Sequence, residues 1–294
     1  MPKVSVVIPT LNAAAFIKEL LISLQKQTVS VDEIVVIDSS STDGTTSIVS
    51  TYGNVRIVVI PREDFNHGIT RHKAFMETQG DIVCFLTQDA LPSNERYLEN
   101  LLQPFKNQDV ALCTGRQRPR SDARRFVQLV QNYNYPEESN VRSLADVPSL
   151  GIKTFFASDV CSAYRRTAYL ECGGFQEVNT SEDMLMAASF LKNGWLVAYV
   201  ADAEVVHSHN LSFMQQYERN KEVGIFLELH ASELLGVSET GEGVQLVKTV
   251  SAKLIHERLL GELLCFGCDC FARILGNKKG RALARRLMSA QDMS

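Results

Sequence analysis

Several carboxylates and imidazoles of this chain stand just beyond short apolar runs, where a side chain can reach a ligand instead of the core. Residues 82–86 are apolar and stop abruptly at Thr87, Gln88 and Asp89, ahead of Pro92. In an open parallel sheet ligands sit beyond the carboxyl ends of the strands, which makes Asp89 a candidate metal-binding residue. An Asp after a strand also simply turns the chain. His207 and His209 follow the apolar pair 205–206 and could ligate a metal or be held by ordinary hydrogen bonds. Glu182 and Asp183 open a helical pattern behind Ser181, where the helix dipole favours acids with or without chemistry. Arg71 is expected in the first turn of another helix, where a cation opposes the dipole; it needs a partner, either an anionic ligand or a surface ion pair.

These residues require a frame that brings strand ends together. Residues 4–8 read as a strand ending in Pro9, Thr10, Leu11 and Asn12, followed by a helix with Phe16, Ile17, Leu20, Leu21 and Leu24 on one face. Residues 34–37 form a β-branched run suited to burial on both faces, closed by Asp38 and the capping stretch SSSTDGT. A third strand covers 55–60, and Asn66-His67-Gly68 marks a turn before the Arg71 helix. This alternation specifies βαβ units and a parallel sheet, whose right-handed crossovers place residues 9–12, Asp38 and Asp89 on one edge.

Beyond Asp89 the pattern gives a helix with Leu98, Leu101, Leu102 and Phe105, a strand over 110–114, and the basic run RQRPR. Residues 133–153 lack periodicity and read as a flap near a donor or acceptor. Strands follow at 158–164, 195–200 and 205–206, then helices over 213–235 and from 244 to about 275, split by GVSETGEG.

The 294 residues carry a net charge of −4 and 45% hydrophobic residues, a soluble globular balance that gives no general reason to expect nucleic acid. No apolar run approaches the ~18 residues of a membrane span, and residues 1–10 are too short and strand-like for a signal peptide, so a cytoplasmic protein is expected. Seven cysteines suit a reducing compartment, and CFGCDC lacks a second ligand pair at zinc spacing. The segment from Phe271 to Ala290 carries six Lys or Arg and no acid; such a helix suits an anionic membrane surface or plain solvation.

SVVIPTLN, VVIDSSSTDGT, NHGITRHKAF with GDIVCFLTQDA, and SEDM with HSH downstream occur in this order over about residues 4–209. Together they resemble the family 2 glycosyltransferases of the GT-A fold, and NHG-TR, TQDA and HSHN more narrowly resemble bacterial rhamnosyltransferases of surface polysaccharide assembly. The resemblance implies an α/β fold, a Rossmann-like nucleotide-binding mixed sheet flanked by helices, with a GT-A domain over 1–210 and a C-terminal helical region over 211–294. The nucleotide-sugar half would cover about 1–118 and the acceptor half about 119–210.

The resemblance also implies roles. Pro9, Thr10 and Asn12 would line the base and ribose, and Asp38 would accept from the pyrimidine ring N–H. Asn66, His67 and Arg71 would lie near the base and diphosphate, with Gln88 beside the donor. Asp89 and His207 would hold Mn²⁺ or Mg²⁺, although Thr87 and Gln88 stand where the family often has acids. Asp183 would be the catalytic base of a direct displacement. The expected reaction is inverting transfer of L-rhamnose from dTDP-β-L-rhamnose to a lipid-linked surface-glycan precursor, giving an α-L-rhamnoside. A UDP-hexose donor and a non-catalytic nucleotide-sugar-binding subunit are the alternatives; PTLNAAA lacks the glycine-rich turn of a dinucleotide oxidoreductase. The helices after Ser212 could support a homodimer as readily as a peripheral contact with the inner face of the cell membrane.

Overall fold

The computed structural model describes residues 2–238 and 240–291. They fall into two compact units: one runs up to Arg118 and includes Tyr135–Val178 and Glu182–His207, and the other holds Pro119–Asn134, Asn179–Ser181 and the chain from Ser208.

The first unit is built on a sheet. Its opening elements are β1 (Val4–Thr10), α1 (Ile17–Gln25), β2 (Glu33–Asp38), α2 (Thr45–Val49), β3 (Val55–Val59), α3 (His67–Met76) and β4 (Ile82–Leu86). β3, β2, β1 and β4 lie side by side and parallel, as the βαβ reading requires. Ile17, Leu20, Leu21 and Leu24 of α1 are buried as their spacing requires, whereas Phe16 precedes the helix and is exposed. Continuous apolar runs in β1, β2 and β4 are buried on both sides and join one core with Tyr97, Leu98 and Leu101.

After β4 come β5 (Leu91–Pro92), α4 (Tyr97–Leu102) and β6 (Val110–Arg118); α5 (Arg125–Asn134) belongs to the other unit. The sheet then takes in β7 (Asn140–Arg142), passes the short α6 (Val147–Leu150), and continues through β8 (Cys161–Arg165), α7 (Arg166–Glu171), α8 (Glu182–Lys192) and β9 (Leu196–Val206). β8 is antiparallel to both β4 and β6, so the sheet is mixed. Its amino end therefore lies beside the carboxyl end of β4, with Cys161 opposite Leu86.

Two sequence expectations change here. The strands read at 195–200 and 205–206 are one strand, β9, which pairs with β6, β7 and β5 in turn. Its register against β6 shifts between Gly115 and Arg116, which lets one strand serve several partners; the polar residues in its middle had concealed its continuity. The presumed flap over 133–153 is partly ordered: β7 adds to β9, and buried Arg142 donates to the carbonyls of Lys153 and Thr154.

In the second unit α9 (Phe213–Leu229), α10 (Thr240–His256) and α11 (Leu260–Gln291) follow α5. The helix read from 244 to 275 is two helices, broken where Arg258 takes φ 58°, and α11 continues far past Leu275. Neither Gly276 nor Gly280 stops it, because each sits against the α9 backbone where a side chain would not fit. Phe126, Leu129 and Val130 of α5 pack with Val250, Leu254 and Phe266. All seven cysteines are unpaired. No helix among the described residues is long and apolar enough to cross a membrane.

Candidate active site

The site is assembled on the edge formed by the carboxyl ends of β1, β2 and β4 and the amino end of β8. Thr10 and Asp38 stand opposite each other as the last residues of paired strands. Asp38 has no exposed surface and accepts from the Thr10 hydroxyl (2.8 Å), the Ser41 N–H (2.8 Å) and the Ser41 hydroxyl (2.6 Å). Its carboxylate thus fastens the loop after β2 instead of lying open to a base. Asn12, at φ 51°, joins the same loop: its main-chain N–H donates to Ser41 Oγ (2.7 Å) and its side-chain Oδ1 accepts from the Thr42 N–H (3.0 Å).

Gln88 is tied to the loop after β1. Its carbonyl accepts from the Leu11 N–H at 2.8 Å and its amide donates to the Leu11 carbonyl at 3.2 Å. A carboxylate could not make both bonds, since it has no donor. The amide that replaces an acid here therefore clamps the loop after β1 to the end of β4.

Asp89 follows in the turn closed by Ala90 N–H on Thr87 O, and its Oδ1 lies 3.6 Å from His207 Nε2. Both side chains are only about one-eighth exposed, at 13% and 12%. The imidazole is oriented from behind. Gln117 spends its amide N–H groups on Tyr135 Oη (2.6 Å) and Ser158 Oγ (2.8 Å), which turns its carbonyl toward His207 Nδ1 at 2.9 Å. Nδ1 then carries the proton, and the Nε2 lone pair faces the carboxylate. Two lone-pair donors facing each other suit a cation between them: adjacent ligands of an octahedral ion at ~2.1 Å lie about 3 Å apart. Oxygen plus imidazole is a donor set for Mn²⁺, and for Mg²⁺ less strongly.

The third group is buried beside the second. Asn66 caps α3, its Oδ1 accepting from Ile69 N–H at 3.1 Å. Gly68 in the first turn sits against the Gln176 carbonyl, too close for any side chain, so that α3 reaches the segment before α8. Because α3 begins at His67, Arg71 lies a full turn inside it, and the dipole argument for its partner gives way to burial. The guanidinium is 6% exposed, 2.9 Å from Glu182 and 3.6 Å from Asp159, with His67 Nδ1 at 2.9 Å. Its partners are thus internal carboxylates, neither a surface ion pair nor an open ligand site.

Asp183 is half-buried, and both of its oxygens accept main-chain N–H groups: Asp159 on Oδ2 at 3.1 Å and Met184 on Oδ1 at 2.7 Å. Burial, and then the charges of Glu182 and Asp159, hold its carboxyl well above the usual carboxylate range. Burial likewise pushes Asp159 up to about 6 against the pull of Arg71. His67 is lowered by burial and by Arg71.

A line of contacts connects the groups: Leu11 to Gln88, Asp89 to His207, His207 through Gln117 to Ser158, and Asp159 to Asp183. Asp159 and Gln117 went unnoticed in the sequence. An Asp directly before the strand-forming run VCSAY was the available signal, since a carboxylate entering a buried strand requires a partner. Gln117 was hidden inside a run read only for its charge. Along this line stand a carboxyl of raised proton affinity and a carboxylate–imidazole pair of a kind that suits a cation, the groups that transfer from an anionic leaving group to a hydroxyl requires.

Comparison with known proteins agrees. Residues 5–173 match the Glycosyl transferase family 2 domain. The chain is 43% identical over 229 residues to the O-antigen chain rhamnosyltransferase WbaN of Salmonella anatum, covering 77% of this chain and 72% of that one. It is 40% identical over 226 residues to RfbN of Salmonella typhimurium, an O-antigen chain rhamnosyltransferase, covering 76% and 72%. Among solved structures, the mannosyltransferase PcManGT of Pyrobaculum calidifontis, in complex with GDP-Man and Mn²⁺, aligns with a TM-score of 0.61 at 18% identity, over 100% of this chain and 88% of that one. Glucosyl-3-phosphoglycerate synthase of Mycobacterium tuberculosis, in complex with Mn²⁺, UDP and glucosyl-3-phosphoglycerate, aligns with a TM-score of 0.55 at 21% identity, over 77% of this chain and 79% of that one. The mixed sheet is thus a GT-A fold, and the chain belongs to glycosyltransferase family 2 as a glycosyltransferase.

Proposed function

We propose that this glycosyltransferase moves L-rhamnose from dTDP-β-L-rhamnose to a hydroxyl of a lipid-linked O-antigen precursor, inverting the anomeric carbon to give an α-L-rhamnoside. The choice of sugar rests on the two Salmonella relatives, each aligned over three-quarters of the chain. The observation that carries the mechanism is the fixed, proton-avid carboxylate of Asp183, joined through Asp159, Ser158 and Gln117 to the Asp89–His207 pair.

In this reading Asp183 takes the proton of the acceptor hydroxyl, which is otherwise a poor nucleophile, and contributes roughly 10²–10⁴-fold. Asp89 and His207 would hold Mn²⁺ or Mg²⁺, which supplies charge neutralisation for the departing diphosphate. Pro9, Thr10 and Asn12 line the base and ribose. Asp38 and Gln88 serve them from behind by fastening the loops after β2 and β1. Asn66 and His67, at the start of α3, face the diphosphate, and Arg71 acts from within the carboxylate cluster.

Nucleoside diphosphate release from dTDP-rhamnose and a panel of UDP-hexoses, with a synthetic lipid-linked acceptor and with Mn²⁺, Mg²⁺ or EDTA, tests the proposal. Turnover with dTDP-rhamnose alone, lost in EDTA and giving an α-linked product, is expected. Turnover with a UDP-hexose only would overturn the donor assignment, and silence with every donor would favour a non-catalytic subunit.

A peripheral contact with an anionic membrane surface is the second element of the reading. On α11, Leu260, Leu264, Phe271 and Leu275 are 38–74% exposed and fall on one face at helical spacing. The same face continues into exposed Lys278 and Lys279, so apolar contact and phosphate attraction would act together.

A further inference from the structure

The cluster around Asp183 contains more acid than a single base or a single ion pair requires. Glu182 and Asp183 come from α8, Asp159 and the Tyr164 hydroxyl from β8 and its approach, and Arg71 and His67 from α3. Arg71 is the cation that two of these carboxylates share: its Nη1 meets Glu182 at 2.9 Å, and its Nε faces Asp159 Oδ2 at 3.6 Å. The other oxygen of Asp159 is fixed by the hydroxyls of Ser162 (2.6 Å) and Tyr164 (2.7 Å). Asp159 is 3% exposed and Glu182 5%, so water screens little of this imbalance.

We propose that Asp159 is a positioning residue for Asp183: its main-chain N–H aims the carboxylate, and its own carboxylate, sharing Arg71 with Glu182, surrounds Asp183 with more negative charge than the guanidinium neutralises. The assignment rests on the reading of Asp183 as the base. Two consequences follow from the geometry. Main-chain donors on both oxygens hold the carboxylate in one rotamer without a charged partner that would weaken it as a base. The surplus negative charge makes the ionised Asp183 a stronger proton acceptor, matched to a hydroxyl. In the step itself the acceptor O–H proton passes to Asp183 as the new carbon–oxygen bond forms, and the electron pair of the broken bond leaves on the diphosphate.

The pH dependence of kcat/KM for diphosphate release by the full chain tests this with Asp159→Asn, Glu182→Gln and Asp183→Asn. Removing one negative charge while keeping the main-chain N–H should move the acidic limb of the Asp159→Asn profile to lower pH by about one unit and lower its plateau. Glu182→Gln should move the limb the same way. An unmoved limb in both folded variants, with Asp183→Asn inactive, overturns the positioning role while leaving the base assigned. Wild-type turnover in Asp183→Asn overturns the base assignment instead, and the positioning role with it. Infrared difference spectra of the wild-type protein give a readout independent of turnover and of how the variants fold. They should show a buried carboxylic acid band that titrates above about pH 5, beyond the ordinary carboxylate range. Its absence would also overturn the proposal.

Discussion

Gln117→Leu offers a test of the Asp89–His207 pair that leaves both ligands in place. In the native protein the Gln117 carbonyl lies 2.9 Å from His207 Nδ1, and its amide is held by Tyr135 and Ser158. Leucine keeps the volume and removes the acceptor. An Nδ1–H without a partner in a mostly buried site costs about 1–3 kcal/mol, comparable to the cost of turning the ring or moving the proton to Nε2. With the proton on Nε2, His207 would donate to Asp89 across the 3.6 Å gap instead of presenting a lone pair there. Loss of such an orienting partner lowers metal affinity about 10–100-fold, or ~1.4–2.7 kcal/mol. The expected result is a rise of that size in the Mn²⁺ concentration that half-saturates turnover, with near-native kcat at saturating Mn²⁺. Gln117→Glu, which keeps an acceptor facing Nδ1, should retain or improve affinity. Direct titration of Mn²⁺ by its electron spin resonance signal checks the kinetic constant. An unchanged half-saturation in Gln117→Leu would refute the orienting argument, and wild-type turnover that survives EDTA would refute the cation site itself.

Asp183→Asn should lower kcat by about 10²–10⁴-fold with donor KM nearly unchanged. Its melting temperature should stay within a few degrees of wild type, because relief of the crowded carboxylates is offset by one main-chain N–H that the new amide cannot accept; a larger shift in either direction would contradict that account. A buried carboxyl raised to about 6, as at Asp159, contributes stability that is fully present below the unfolded value near 4 and is lost as pH rises through 6, on the order of 3 kcal/mol. Urea unfolding at pH 4.5 and 7.5 should show this decline and its flattening in Asp159→Asn; parallel curves would count against it. Gln88→Ala, which removes two bonds to Leu11, should raise donor KM about 3–10-fold through the loop after β1, and an unchanged KM would mean that the clamp is dispensable. Leu264→Glu with Phe271→Glu should abolish co-sedimentation with vesicles containing an anionic phospholipid while leaving the fold intact; undiminished binding would remove α11 from the membrane reading.

The parallel half of the sheet was legible because its cues are local. Apolar runs in β1, β2 and β4, helical spacing in α1 and polar breaks at Pro9, Asp38 and Asp89 each report backbone geometry within a few residues. Helix and strand ends were less legible. No Gly or Pro marks the break at Arg258, and polar residues in the middle of β9 made one strand look like two.

Partnership between distant residues had no local cue. Gln88 meets Leu11 across 77 residues, and that contact, more than its polarity, determines what its amide does. Arg71 looked like a surface or ligand-binding cation until α8 and β8 brought Glu182 and Asp159 against it. The residue types determined that acids, imidazoles and a guanidinium would gather at strand ends. Which of them would be buried together was decided by the antiparallel entry of β8 beside β4. It set Asp159 behind Asp183, where low solvation turns neighbouring carboxylates from independent surface charges into one coupled group.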